Sequence, residues 1–300
     1  MDMTHNKCCR HGANLRRRRR RRRKILRSII FSYSIIAVAV FVAVGSSMIR
    51  SGDGRTNRYD VEAGNNTYDN AVIENSKISE KNKIQNNQSM LDDIMNSTQY
   101  PKQLKDLALK NEEALEFVYD YPAEHVKEHT IDLTEEVSMD SVPLFVQWDK
   151  RWGYEKYSGN FFAASGCGPT TLSMVVVYLT HDREASPIAV AKYSKEAGYS
   201  VDGSGSSWTL ISEGCRHYGV KAKTVALDES RMKAELDEGH PIVVNVGPGD
   251  FTDTGHFMVI TGYDDEGFSI NDPNSIEKSG KRWLFKNISS QIRAVWSMYV

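Results

Sequence analysis

The stretch Ser165-Gly166-Cys167-Gly168-Pro169-Thr170-Thr171-Leu172-Ser173-Met174-Val175-Val176-Val177-Tyr178-Leu179 sets a turn of small residues directly against an apolar run. Gly166 and Gly168 free the backbone around Cys167 of side-chain bulk, and Pro169 has the fixed φ of a first helical turn, where no donor is needed. The spacing predicts a helix that begins at the cysteine. Its apolar residues cover nearly the whole circumference, so it should be the buried central helix of its domain. A thiol at such a start meets unpaired backbone N–H groups and the positive end of the macrodipole. Both favour the thiolate, which is the nucleophilic form.

Downstream, Ser186-Pro187 opens a helix that Gly198 closes, and Ser207 opens another that Gly219 closes. Strands follow at Lys221 to Leu227, Pro241 to Val246, Gly255 to Tyr263, Gly267 to Asp272, Lys281 to Phe285 and Ala294 to Val300, with one helix near Glu229 to Glu238. Upstream, Val142 to Trp148 alternates as a short strand would. Helices first and an antiparallel sheet after predict an α+β domain over 141–300, with the cysteine helix packed on the sheet.

A thiolate needs a proton acceptor. Of the eight histidines, only His256 begins a long apolar strand, in Gly255-His256-Phe257-Met258-Val259-Ile260. The imidazole in turn needs an orienting group, and the next strand ends Phe268-Ser269-Ile270-Asn271-Asp272-Pro273. Side chains alternate across a strand, so Asp272 shares the face of Phe268 and Ile270 while Asn271 points the other way. A hairpin turning near Asp265 brings His256 and Asp272 to one end of adjacent strands, as a Cys-His-Asp triad requires. Each residue also has a plainer reading. Cys167 can pair with Cys215 in a disulfide, His256 can be a structural strand histidine, and Asp272 can cap the Pro273 turn. Cys215 falls inside a helix and reads as core. Trp208, after the Gly203-Ser204-Gly205-Ser206 loop, is either the floor of a cleft or a core-facing aromatic.

Charge divides the chain. Residues 1–50 hold thirteen Lys or Arg against the single acid Asp2, whereas the whole chain is formally −1, so the remainder is strongly acidic. That balance does not suit nucleic acid. Arg16 to Arg23 is an unbroken run of eight arginines, and Ser28 to Ile49 contains no charged residue across 22 positions. At about 1.5 Å per residue this segment spans a bilayer core of roughly 30 Å. With the arginines held inside, the reading is a cytoplasmic tail (1–27), a single transmembrane anchor (28–49) and an extracytoplasmic remainder at the cell membrane. The same order suits a cleavable signal ending near Ala43-Val44-Gly45, which would leave the domain secreted. Residues 50–97, rich in Asn, Ser, Lys and Glu without sustained periodicity, read as a disordered spacer. Helical periodicity returns over 98–140, where Asn111 caps a second short helix and Tyr121-Pro122 ends it, giving a helical preamble and a polar linker.

The ordered set Val142-Pro-Leu-Phe-Val-Gln147-Trp-Asp-Lys-Arg-Trp152, Gly166-Cys167-Gly168-Pro169-Thr170, Gly255-His256-Phe257 and Asp272-Pro273 resembles the papain-like cysteine peptidases of the double-glycine leader (bacteriocin-processing) type, in their stand-alone branch. The resemblance covers roughly residues 98–300. It implies Cys167 as nucleophile, His256 as base, Asp272 as orienting group and Gln147 as the oxyanion-hole side chain. The gap from Gln147 to Cys167 is longer than in the transporter-linked peptidases. The expected function is a membrane-anchored thiol hydrolase acting on a peptide or protein substrate through an acyl-enzyme. An acyl transferase of the same fold and a non-catalytic papain-like binding module are the alternatives. No metal, nucleotide or other cofactor is expected: no G-x-x-x-x-G-K-[ST] run occurs, and no second Cys or His stands at zinc-like spacing from Cys167 or His256.

Overall fold

A computed structural model describes residues 66–300, with side chains from residue 79 onward. The basic tail and the apolar span 28–49 lie outside the described residues. Among the described residues, no helix is long and apolar enough to cross a membrane.

The cysteine helix runs Cys167–Thr180 and is buried continuously from Gly168 to Val177, as its all-round apolar surface requires. It stops at His181, which takes a left-handed φ of 58° and directs Nδ1 to the Val137 carbonyl at 2.9 Å. The helix lies against a six-stranded antiparallel sheet made of β1 (Lys221–Thr224), β2 (Ile242–Val246), β3 (His256–Asp264), β4 (Gly267–Asn271), β5 (Arg282–Trp283) and β6 (Ile292–Tyr299). The strand order is β1-β6-β2-β3-β4-β5. Two further two-residue hairpins, Lys156–Tyr157 with Asn160–Phe161 and Ser200–Val201 with Gly205–Ser206, stand apart from it.

Both faces of the sheet are covered. Val243, Phe257, Val259, Trp296 and Met298 pack with Leu172, Val175 and Val176 on the cysteine-helix side. Ile242, Val244, Met258, Ile260, Phe268 and Ile270 pack with Met232 and Leu236 of the Glu229–Asp237 helix on the other. Burial on both faces explains why β2 reads Ile-Val-Val-Asn-Val rather than alternating. The α+β reading, with the cysteine-bearing helix on an antiparallel sheet, therefore describes this domain.

Several elements differ from the sequence reading. Val142 to Trp148 pairs with no strand: Pro143 lacks a donor, and the segment is tied instead by Asn271 Nδ2 to the carbonyls of Val142 and Pro143 at 3.1 and 2.9 Å. The helix expected from Ser207 is split into Thr209–Ser212 and a 3-10 turn, Gly214–Tyr218. At the break, a Cβ on Gly214 would lie 3.0 Å from the Tyr199 ring. Within the expected disordered spacer, Asn66–Asn96 is helical. No Gly or Pro interrupts that stretch, and its last turns are anchored, with Ile94 buried and Met90 and Leu91 packed beside it.

The preamble is an integral layer. Leu104, Leu107 and Ala108 of Lys102–Lys110 and Leu115, Phe117 and Val118 of Leu115–Tyr119 share a core with Phe161 and Ala163 of the main domain. Asn111 caps the turn between them, its side chain accepting from the Glu113 N–H at 3.0 Å. Tyr121-Pro122 does not end the helical run; Tyr121–Glu124 forms one more turn.

Candidate active site

Three segments meet at one end of the sheet. The cysteine helix delivers Cys167 at its first position, half-buried. β3 delivers His256 at its first position, paired in register with Val246 of β2. The chain leaving β4 delivers Asp272, fully buried, on the face of Phe268 and Ile270. His256 Nε2 and Asp272 Oδ1 are 2.7 Å apart, and the Cys167 thiol interacts electrostatically with the same imidazole. With Nε2 held by the aspartate, Nδ1 is the nitrogen left for the sulfur. Asn271 faces away and serves the Val142–Pro143 backbone, as strand alternation requires.

The helix start is shaped for close approach. A Cβ on Gly168 would come within 2.5 Å of Ser206 Oγ, and one on Gly166 within 2.6 Å of the Phe162 ring. Thr171 Oγ1 donates to the Phe257 carbonyl at 3.1 Å, pinning the helix to β3 beside His256.

The electrostatics favour an ion pair. Burial opposes charge on Cys167, but the hydrogen bond and positive charge of His256, helped by backbone hydrogen bonds to Phe257 and Gly168, outweigh it and hold the thiol below its ordinary value. Burial likewise opposes the imidazolium, yet the charge and hydrogen bond of Asp272, then Cys167, push His256 up to about 10. At Cys215 the Arg216 charge does not offset burial. The residue is free and wholly buried, and burial raises its thiol to about 11. The disulfide that the sequence admitted does not form.

Gln147 is buried. Its Nε2 donates to the Ala163 carbonyl and its backbone N–H to the Pro273 carbonyl, both at 2.7 Å. It thus joins the segment before Cys167 to the loop after Asp272. A carboxamide carries two N–H donors, so one remains beyond the Ala163 bond.

In front of Cys167 lies a cleft of about 700 Å³. One wall is the pair of hairpins, locked together where the Gly203 N–H donates to the Ser158 carbonyl at 3.0 Å and the Gly205 N–H to Ser158 Oγ at 2.9 Å. Gly159, Gly203 and Gly205 hold positive φ there. Asn245 to Pro248, Thr254, Gly255, Phe257 and Arg293 also line the cleft. Trp208 also lines the cleft, exposed and edge-on to Trp296 with 6.0 Å between ring centroids. The cleft lining includes one cationic side chain and no carboxylate, although the region after residue 50 is acidic overall. Neither the Ser158 loop nor Arg293 was found by sequence reasoning, because neither carries a local pattern. Among the described residues, no group of three His, Cys, Asp or Glu side chains could hold a metal ion.

The family model described as the Peptidase_C39 like family matches residues 139–300. No curated protein matches the chain. Among solved structures, the chain is similar to the peptidase domain of Streptococcus ComA, a bifunctional ABC transporter involved in quorum sensing, at 19% identity and a TM-score of 0.39, covering 53% of this chain and 96% of that one. It is also similar to a C39-like peptidase from Bacillus anthracis at 16% identity and a TM-score of 0.34, covering 53% and 95%.

Proposed function

Because this chain belongs to the peptidase C39-like family, we propose that it is a cysteine peptidase whose thiolate is Cys167. The observation that carries the reading is the hydrogen-bonded pair His256–Asp272 acting on the charge of Cys167, the one of the three that lines an open cleft.

In this mechanism the Cys167 thiolate attacks the scissile carbonyl carbon, and the carbonyl oxygen becomes an oxyanion. The Cys167 backbone N–H and the remaining Gln147 N–H stabilise that oxygen. His256, charged at the start, gives its Nδ1 proton to the leaving amine as the C–N bond breaks. An acyl-enzyme and a neutral imidazole remain. The imidazole then takes a proton from water, whose oxygen attacks the thioester, and the thiolate departs. Asp272 holds the ring and stabilises its charged form throughout. Arg293 gives the cleft a cation that suits a peptide carboxylate. We place the domain outside the cell membrane, held by the uncharged span 28–49 with the arginines inside.

The test is hydrolysis of a quenched-fluorescence peptide library by the full chain and by Cys167→Ser. Cleavage that Cys167→Ser loses and that survives chelator supports the reading. Equal turnover by both proteins would end it.

A further inference from the structure

The loop that carries Asp272 is held from outside by the preamble. Asn274 donates its backbone N–H to Asp272 Oδ1 at 2.8 Å, while its own carbonyl accepts from Asn111 Nδ2 at 2.9 Å. Asn111 Nδ2 also lies 3.1 Å from Asn274 Oδ1. Two residues away, Glu113 accepts from Ser275 Oγ, from the Ile276 N–H at 2.7 Å and from the Glu277 N–H at 3.1 Å. Asn111 and Glu113 are themselves joined through the Glu113 N–H. Trp148 Nε1 adds a bond to the Asn274 carbonyl at 3.2 Å. A single line of hydrogen bonds thus runs Asn111, Asn274, Asp272, His256, and the imidazole at its end acts on the charge of Cys167. By contrast, no residue of 98–140 lines the cleft.

From this geometry we infer that Asn111 and Glu113 are positioning residues, and that the preamble is a brace for Asp272 rather than a removable inhibitory segment. The inference rests on the reading of Cys167 and His256 as a working pair. The physical reason is orientation. Asp272 stabilises the imidazolium only while its Oδ1 faces Nε2, and its other oxygen, Oδ2, is buried with no hydrogen-bond partner to restrain the carboxylate. The Asn274 N–H on Oδ1 supplies that restraint, and Asn274 is where Asn111 holds. Asp272 and Cys167 are the charged groups acting on His256, one from the loop after β4 and one from the helix.

The experiment uses the full chain and reads the rate of Cys167 alkylation by iodoacetamide against pH, which needs no substrate. Glu113→Gln together with Asn111→Ala should slow alkylation at pH 6 about tenfold, the effect of moving thiol ionisation by one pH unit. Lys105→Ala, which removes the bonds from the preamble to the Met95 and Ser97 carbonyls, should leave the rate unchanged. On any cleaved peptide, the double variant should lower kcat and hold KM within about twofold. If the double variant does not fold, Glu113→Gln alone decides by the same alkylation profile. An unchanged profile in a folded variant, whatever its melting temperature, overturns the brace. A rise in turnover on breaking these bonds overturns it in favour of inhibition. If no peptide is cleaved but alkylation shifts as expected, the hydrolase reading fails and the brace stands.

Discussion

Two cysteines lie in the same domain and are opposite in character. Cys167 opens a 14-residue helix at the end of the sheet and faces a cleft, and the charge of His256 helps hold its thiol below the ordinary value. Cys215 lies within the Gly214–Tyr218 turn among apolar neighbours, and burial raises its thiol to about 11. Burial alone therefore does not decide reactivity, because burial opposes ionisation at both sites. What separates them is the charged partner that the sheet end supplies.

The widest expected gap is in alkylation. At pH 7 a thiol with a pKa of about 11 is ionised to roughly one part in 10⁴, so Cys167 should outpace Cys215 in the native chain by roughly 10³-fold or more. Mass-spectrometric assignment after brief iodoacetamide treatment measures the ratio. Comparable labelling of both under native conditions would break the comparison at its root.

Next in size is the orienting carboxylate. Asp272→Asn keeps the shape but removes the charge that stabilises the imidazolium, so kcat on a cleaved peptide should fall by roughly 10²- to 10⁴-fold. Cys215→Ala should leave kcat within about twofold and lower stability by about 1 kcal/mol for the lost sulfur contacts. Steady-state kinetics and urea melts check both. A large kcat loss from Cys215→Ala would show that the second thiol is not a bystander.

How much of this contrast was written in the sequence depends on the range of the interactions involved. The helix start at Cys167 and the side of β4 that carries Asp272 were legible because both follow from short-range rules, glycine and proline at a helix start and alternation along a strand. The hairpin turn at Asp264 to Gly267 then fixed their meeting with His256. Val142 to Trp148 alternates as a strand does, but Pro143 lacks a donor and the segment is held by the Asn271 side chain rather than by a ladder, so alternation alone gave no strand. Asn111 and Glu113 act on residues more than 160 positions away, and a cap before two acidic residues looks the same whether or not anything lies beyond it. Gln147 stands out in the sequence only through the family resemblance, and its bonds to Ala163 and Pro273 join two loops that no local pattern connects.

The smallest predicted effect concerns stability against pH, where the two thiols pull in opposite directions. A raised folded-state pKa contributes stability that is complete below the unfolded value and lost as pH rises through the folded one; a lowered pKa does the reverse. For His256 the contribution is complete below 6.5 and declines up to about 10. For Cys167 it is complete above 9.0 and declines as pH falls toward the lowered folded value. Above the lowered Cys167 value and 6.5, and up to 9.0, these slopes cancel, because the folded ion pair and the unfolded thiol plus neutral imidazole each hold one proton. Above 9.0 the unfolded chain has released both protons while folded His256 keeps its own, and Cys215 adds a second retained proton up to about 11. Wild type should therefore lose stability faster than Cys215→Ala between pH 9 and 10, by about 1.4 kcal/mol per pH unit, the value of one proton. Tyrosines and lysines common to both proteins drop out of that difference. Urea melts of the two proteins at pH 8, 9, 9.5 and 10 measure it. Parallel curves above pH 9 would mean that the Cys215 thiol ionises as readily folded as unfolded, and the contrast with Cys167 would then rest on access alone.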